Sequence, residues 1–353
     1  MTTVQTLFDC AKAQATIEKG RRAKWWTRKG RTAKTFKYFD AEGNRITDES
    51  SLERVRSLVI PPAWKYVRIN PFAGGKIQAV GMDSTGRVQY RYHPDFSAKQ
   101  QKKKYSKIER FGLVLPELRR MTNEHIALEG LTREKVLAVV MRLINSLYFR
   151  VGTDHSAKHY KTYGITTLQK RHLRFGRKGQ LCFDFVGKSH VQHRKVLVDE
   201  SLALVIKDLA ALGGRGKLFR YVDDSGKRRA VTPGQINAYI KQATGPEFSA
   251  KDFRTWGGTV LAASEFAAVG PAESEAELKK NIVRVVRRVA EELGNTPTVC
   301  RGSYIHPAVI DAYASGITID EFRSKRERKI RRTADDLDPE EKALVRLLAS
   351  NGK

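Results

Sequence analysis

Tyr304 stands in RGSYIHP, just after a helix-like stretch, in a chain with 66 Lys+Arg against 38 Asp+Glu. A phenol can serve as a nucleophile, but with a pKa of about 10 in water it needs help to shed its proton. Displacement at a phosphodiester also requires that the extra charge on the non-bridging oxygens be offset and that the departing oxygen receive a proton. Arginine suits the first of these tasks, because its planar fork can hold two phosphate oxygens and stays protonated. Lysine suits the second when burial and nearby cations lower its pKa. The chain offers Arg150 in LYFRVG, Arg254 in KDFRTWGG, Lys188 in FVGKSH and, as a neutral hydrogen-bond donor, Asn295 in LGNTP. Taken singly, each has a plainer use: a helix-end arginine reaching for water, a turn lysine, a packed aromatic with its hydroxyl satisfied.

Two other patterns point elsewhere and fall short. VGKS (186–189) contains the GKS of a phosphate loop, but the first glycine of G-x-x-x-x-G-K-S would fall at Cys182, and the preceding run reads as a strand. His155 and His159 are four apart and share a helix face, yet no glutamate lies between them as in H-E-x-x-H. Neither an ATP site nor a metal site is expected, and no cofactor.

The composition says what the site would act on. The 353 residues suggest two domains, 41% are hydrophobic, and the formal net charge is +28. Such an excess repels itself unless a polyanion offsets it, so nucleic acid is the first partner to consider. An anionic membrane is the rival, but no apolar run of about 18 residues exists and no basic amphipathic anchor stands out. The N-terminus MTTVQTLFDCAKAQ lacks the charged-then-apolar order of a signal peptide. Cys10, Cys182 and Cys300 are widely spaced without a CxxC pair, which fits a reducing, cytoplasmic setting.

The elements that must position these residues read as α+β. Residues 1–97 are strand-rich: TFKYFDAEGNRIT (35–47) and KIQAVGMDSTGRVQYRYH (76–93) are two hairpin signals, and IPPAW (60–64) is a rigid break after a short helix. AKQQKKK (98–104) has no apolar face and is expected to be a basic linker. Residues 105–322 then read as mainly helical, with apolar spacing over 132–149, a helix over 273–294 stopped by Gly294, and three short strands within 165–198. The charged tail, 323–353, is expected to be a solvated helix or a disordered end. The whole is thus a small antiparallel-β N-terminal domain followed by a larger, mainly α domain with a small three-stranded sheet.

Taken together and in this order, the motifs resemble those of the short type IB DNA topoisomerases of bacteria and poxviruses, from about residue 20 to about residue 320. IPPAWKYVRI and GKIQAVGMDSTGRVQYRYHPDF are similar to that family's small β-domain; FRVG, YGITTLQKRH, FDFVGK, KDFRTWGGT and LGNTP…SYIHP are similar to its catalytic domain. The resemblance implies that Tyr304 becomes linked to a DNA 3′ phosphate, that Arg150 and Arg254 hold the non-bridging oxygens, and that Lys188 protonates the leaving 5′ oxygen. It places Asn295 where some members have histidine, which leaves a hydrogen bond but no titratable imidazole. It puts Lys251 near the scissile phosphate, and Gln89, Tyr90 and Tyr92 on a DNA-contacting strand. Alternation would put the two tyrosines on one face, where a half-buried aromatic pair is an equal alternative. Ser156 stands where members often have a DNA-contacting tyrosine.

The implied reaction replaces one phosphodiester with another, so bond energy is retained, resealing reverses cleavage, and neither a nucleotide nor a metal is needed. The implied partner is double-stranded DNA, gripped by a monomeric clamp in the cytoplasm, at the nucleoid. The rivals are a tyrosine recombinase or integrase, which shares the catalytic domain but often has histidine where Lys251 stands, and a non-catalytic basic DNA-binding protein.

Overall fold

Two compact units make up the chain, residues 1–104 and 105–353. The computed structural model describes residues 2–212, 216–323 and 335–350, with side chains from Cys10 onward. In the first unit, helix α1 (Thr2–Ile17) precedes strands β1 (Trp26–Lys29) and β2 (Lys37–Phe39), helix α2 (Glu49–Ser57), and strands β3 (Lys65–Ile69), β4 (Ile77–Met82) and β5 (Val88–Tyr92). The five strands form one antiparallel sheet in the order β2-β1-β3-β4-β5. IQAVGM lacks polar alternation because the sheet is covered on both faces. Val80 and Met82 pack with Ala13 and Ile17 of α1, whereas Ala79 packs with Val55 of α2, Val67 and Ile69. The prolines at 61 and 62 end α2's excursion, and the Arg28 guanidinium fastens that break by donating to the carbonyls of Pro61, Pro62 and Trp64. The hairpin turns use aspartate as expected: Asp83 accepts from the backbone of Thr85 and Arg87.

The segment 98–104 differs from the expected linker. It lies inside helix α3 (Pro94–Ile126), which runs through the boundary between the units. Its lysines, glutamines and alanine are good helix formers, so an exposed stretch without an apolar face continues the helix that Pro94 starts.

The second unit continues with α4 (Arg133–Leu147), α5 (Asp154–Tyr160), the strands β6 (Leu173–Phe175), β7 (Gln180–Val186) and β8 (Gln192–Val198), and α6 (Glu200–Ala211). A two-stranded ribbon, β9 (Arg220–Val222) and β10 (Arg228–Ala230), leads to α7 (Pro233–Thr244), α8 (Ala250–Val269), α9 (Glu275–Leu293), α10 (Pro297–Ser303) and α11 (Pro307–Ala314). Strands β6, β7 and β8 form the small antiparallel sheet, while the ITTLQKRH stretch before them folds as two 3-10 turns. One core runs through this unit, built on the wholly buried face of α4 (Val136, Val139, Val140, Leu143, Ile144) and on Phe111, Phe253 and Phe266. The fold is α+β.

The tail also departs from expectation. Residues 324–334 and 351–353 lie outside the described residues, but α12 (Pro339–Ser350) is neither solvated nor loose. Ala343, Leu344, Leu347 and Leu348 are buried in the main core. Glu341 is only 5% exposed; it accepts two bonds from Arg119 at 2.8 Å each and one from Trp256 Nε1 at 3.0 Å. The abundance of charge obscured an apolar stripe at helical spacing.

Candidate active site

Helix α8 organises the site. Arg254 is 4% exposed, and its Nη1 and Nη2 donate to the carbonyls of Tyr148 (2.5 Å) and Leu293 (2.7 Å), the ends of α4 and α9. These are helix C-terminal carbonyls that lack intrahelical partners, so the cation caps two helices at once. The next turn explains the glycine pair of RTWGGT. A Cβ at Gly257 would overlap the Tyr148 ring, and Gly258 lies against Tyr304. Two glycines inside a helix cost about 1 kcal/mol each relative to alanine; close packing is what they are retained for. Thr259 Oγ1 then accepts the His306 N–H at 3.1 Å and donates back to Thr255 O at 2.7 Å.

Tyr304 occupies the break between α10 and α11. Its N–H closes on Cys300 O at 2.8 Å, Ile305 is fully buried, and His306 Nδ1 accepts from Ala308 N to start the next helix. The half-buried phenol ring lies over Arg254, with 5.1 Å from the guanidinium carbon to the ring centroid, within cation–π range. Burial lowers the Arg254 pKa below its ordinary value; the Tyr304 phenol opposes that shift through its charge and a side-chain hydrogen bond.

Arg150 arrives by a different route. Tyr148 ends α4 in the left-handed conformation, φ 55°, and Phe149 then buries its ring edge-on against Phe183 and Phe185 of β7. The following turn is tight: a Cβ at Gly164 would stand 2.5 Å from Arg150 O, and Ile165 N donates to that same carbonyl at 2.8 Å. Arg150 Nη2 donates to Asn295 Oδ1 (2.6 Å) and Gly294 O (3.1 Å). Burial first, and the neighbouring Arg254 second, push the Arg150 pKa down to about 10. It remains a cation at neutral pH.

Lys188 begins the turn between β7 and β8, in which Ser189 and His190 both take positive φ. Its side chain is exposed, yet the residue lines the same narrow cleft as Arg150 and Arg254. The structure therefore brings Arg150, Arg254, Asn295 and Tyr304 together, with Lys188 at the cleft's rim. Arg150 Nη1 and Asn295 Nδ2 are buried with no hydrogen-bond partner among the described residues.

Lys251 is exposed in the first turn of α8. Ser156 serves the cap of α5, its N–H and Oγ meeting Thr153 Oγ1. In the first unit, Gln89 donates to Asp83 at 2.8 Å, Tyr90 packs on the α1 side of the sheet, and Tyr92 is 43% exposed, stacked 6.0 Å from Tyr90. His155 and His159 are both exposed on α5, their rings tilted 36° to each other with centroids 4.5 Å apart. Among the described residues no group of three or more His, Cys, Asp or Glu is arranged to hold a metal ion, and no helix is long and apolar enough to cross a membrane. Sequence reasoning missed Gly258, Thr259 and His193. Gly258 was legible as half of a glycine pair inside a helical run; Thr259, and a buried histidine on a strand otherwise rich in exposed cations, left no comparable signal.

Residues 93–331, more than half the chain, match the family model described as eukaryotic DNA topoisomerase I, catalytic core, and residues 35–83 match the N-terminal domain of bacterial DNA topoisomerase IB. The chain therefore belongs to the type IB DNA topoisomerase family. It is similar to DNA topoisomerase 1B of Acanthamoeba polyphaga mimivirus, with 29% identity over 286 residues, covering 79% of this chain and 84% of that protein. It is also similar to DNA topoisomerase 1B of vaccinia virus strain Copenhagen, with 25% identity over 261 residues, covering 69% and 77%.

Proposed function

We propose that this enzyme relaxes supercoiled duplex DNA by a reversible transesterification in which Tyr304 is the nucleophile. Tyr304 gives its phenol proton to solvent and the phenolate attacks a backbone phosphorus; the bond to the 5′ oxygen breaks, and the strand is held as a 3′-phosphotyrosyl ester. Arg150 and Arg254 take the non-bridging oxygens, Asn295 adds a neutral donor, and Lys188 gives a proton to the departing 5′ oxygen. Resealing runs the same steps in reverse, and the free end rotates about the intact strand in between.

The observation that carries this reading is the pair of buried donors without a partner among the described residues, Arg150 Nη1 and Asn295 Nδ2, beside Arg254 under the Tyr304 ring. Leaving such groups unsatisfied costs about 1–3 kcal/mol each, more when charged. A phosphate supplies the missing acceptors, and the pentacoordinate transition state, with more negative charge, gains more from them than the ground state does. The exposed lysine fits the same scheme if bound duplex closes over the turn.

The protein works as a monomer that grips phosphates from both basic units, in a cytoplasmic, bacterial setting compatible with three free cysteines. Such a grip weakens with added salt through counterion release. The test is plasmid relaxation in EDTA without ATP: the intact protein relaxes, Tyr304→Phe does not, and dependence on a second DNA site would favour a recombinase instead.

A further inference from the structure

We propose that His193 is a positioning residue for strand cleavage, a wedge that holds the Lys188 turn and the Asn295 loop at a fixed spacing around Arg150. The inference rests on the reading of Lys188 as the proton donor to the leaving oxygen.

His193 is 8% exposed and sits opposite Phe185 across β7 and β8. The two rings stack with centroids 5.2 Å apart and planes 24° from parallel. On the imidazole's edges lie two glycines. A Cβ at Gly187 would stand 2.5 Å from His193 Cδ2, and a Cβ at Gly294 would overlap the ring at Cε1. Gly187 immediately precedes Lys188, and Gly294 immediately precedes Asn295. The ring therefore separates the backbones that carry two of the five candidate groups, and only glycine permits that approach. Phe149, packed on the Phe185 ring, extends the stack to Arg150. Two residues further along β8, Lys195 Nζ donates to Glu292 O at 2.7 Å and pairs with the Glu292 carboxylate, tying the same strand to the end of α9.

The ring acts by its shape. Burial first, then the cations Arg150, Arg254 and Lys195, hold it neutral down to about pH 4. A proton-transfer group displaced by about an ångström loses much of its rate contribution, so a wedge that sets the Lys188 turn sets the cleavage rate.

The test compares single-turnover cleavage of an ordinary duplex with one carrying sulfur in place of the scissile 5′ oxygen, since a thiolate leaves without a proton. His193→Ala is expected to slow cleavage of the oxygen substrate roughly 10- to 100-fold, to recover most of that loss on the sulfur substrate, and to leave non-covalent duplex binding within about 3-fold. Gly187→Ala, at a φ of −99° that alanine accepts, should reproduce the defect by pushing on the ring, and should add no further loss in the His193→Ala background. It serves as the test on its own if His193→Ala does not fold. Equal loss on both substrates, or additive losses in the double variant, overturns the inference while Lys188→Ala is still rescued by sulfur. If Lys188→Ala is not rescued, the general-acid reading falls and takes this inference with it.

Discussion

Gly258 and Tyr304 meet without a side chain between them: a Cβ on Gly258 would stand 2.6 Å from the Tyr304 carbonyl oxygen and 3.2 Å from its Cβ. Arg254 lies one helical turn earlier on the same face of α8. One helix thus sets both the proposed nucleophile and one of its guanidinium partners. Gly258→Ala should gain helix propensity yet displace Tyr304. Cleavage is expected to fall at least about 10-fold, with non-covalent duplex binding little changed. Unaltered cleavage would mean that the contact does not position the phenol.

Arg150 is a half-buried cation beside a second one, so its charge costs stability. Its folded-state pKa of about 10, below the ordinary arginine value, means that this cost is fully present below about pH 10 and disappears as pH rises from there to the unfolded value. Arg150→Gln removes the cost at every pH. Cleavage should fall at least about 100-fold, while the thermal midpoint at pH 7 should hold or rise. A fall of more than about 5 °C would show that the arginine's bonds to Gly294 and Asn295 outweigh its desolvation.

His172 and His193 are both buried and held neutral down to about pH 4, chiefly by desolvation and secondly by arginine neighbours. The unfolded chain takes up these protons near pH 6.5 and the folded chain does not. The stability they contribute is therefore present above about pH 6.5 and is lost as pH falls towards 4, on the order of 3 kcal/mol each at most. Urea midpoints measured across that window should slope, and His172→Gln should flatten the slope. A pH-independent midpoint would contradict the assignment.

Glu341 anchors α12 through Arg119 and Trp256. Glu341→Ala removes the carboxylate partner of the Arg119 cation, leaving it the Asp336 carbonyl alone; breaking such a pair typically costs about 3–5 kcal/mol. Denaturant unfolding should register the loss. A change under about 1 kcal/mol would place this pair among ion pairs that contribute little.

Much of the architecture was legible because periodicity was clean. The hairpins around Asp83 and at 37–45, helix α9 with its Gly294 stop, and the β6–β8 sheet follow from alternation, 3.6-residue spacing and turn chemistry. Two of the misread segments, 98–104 and 339–350, are both rich in charge. Propensity carried the first into a helix; in the second, burying Leu344, Leu347 and Leu348 required enclosing Glu341 as well, which no local rule anticipates. The site shows the same division. Residue types could nominate Tyr304, Arg150, Arg254, Lys188 and Asn295, but not the packing that brings them together: Gly258 against Tyr304, Thr259 on His306, His193 between two glycines. Those contacts join α8 to the break between α10 and α11, and β8 to the end of α9, across intervening elements of the chain.

The most direct measurement traps the reaction on duplex DNA with denaturant, digests the protein, and locates the nucleotide-bearing peptide by mass spectrometry. The account predicts a nucleotide 3′ phosphate on Tyr304, formed in EDTA without ATP and absent from Tyr304→Phe. An adduct on any other residue, or one that survives in Tyr304→Phe, would contradict it.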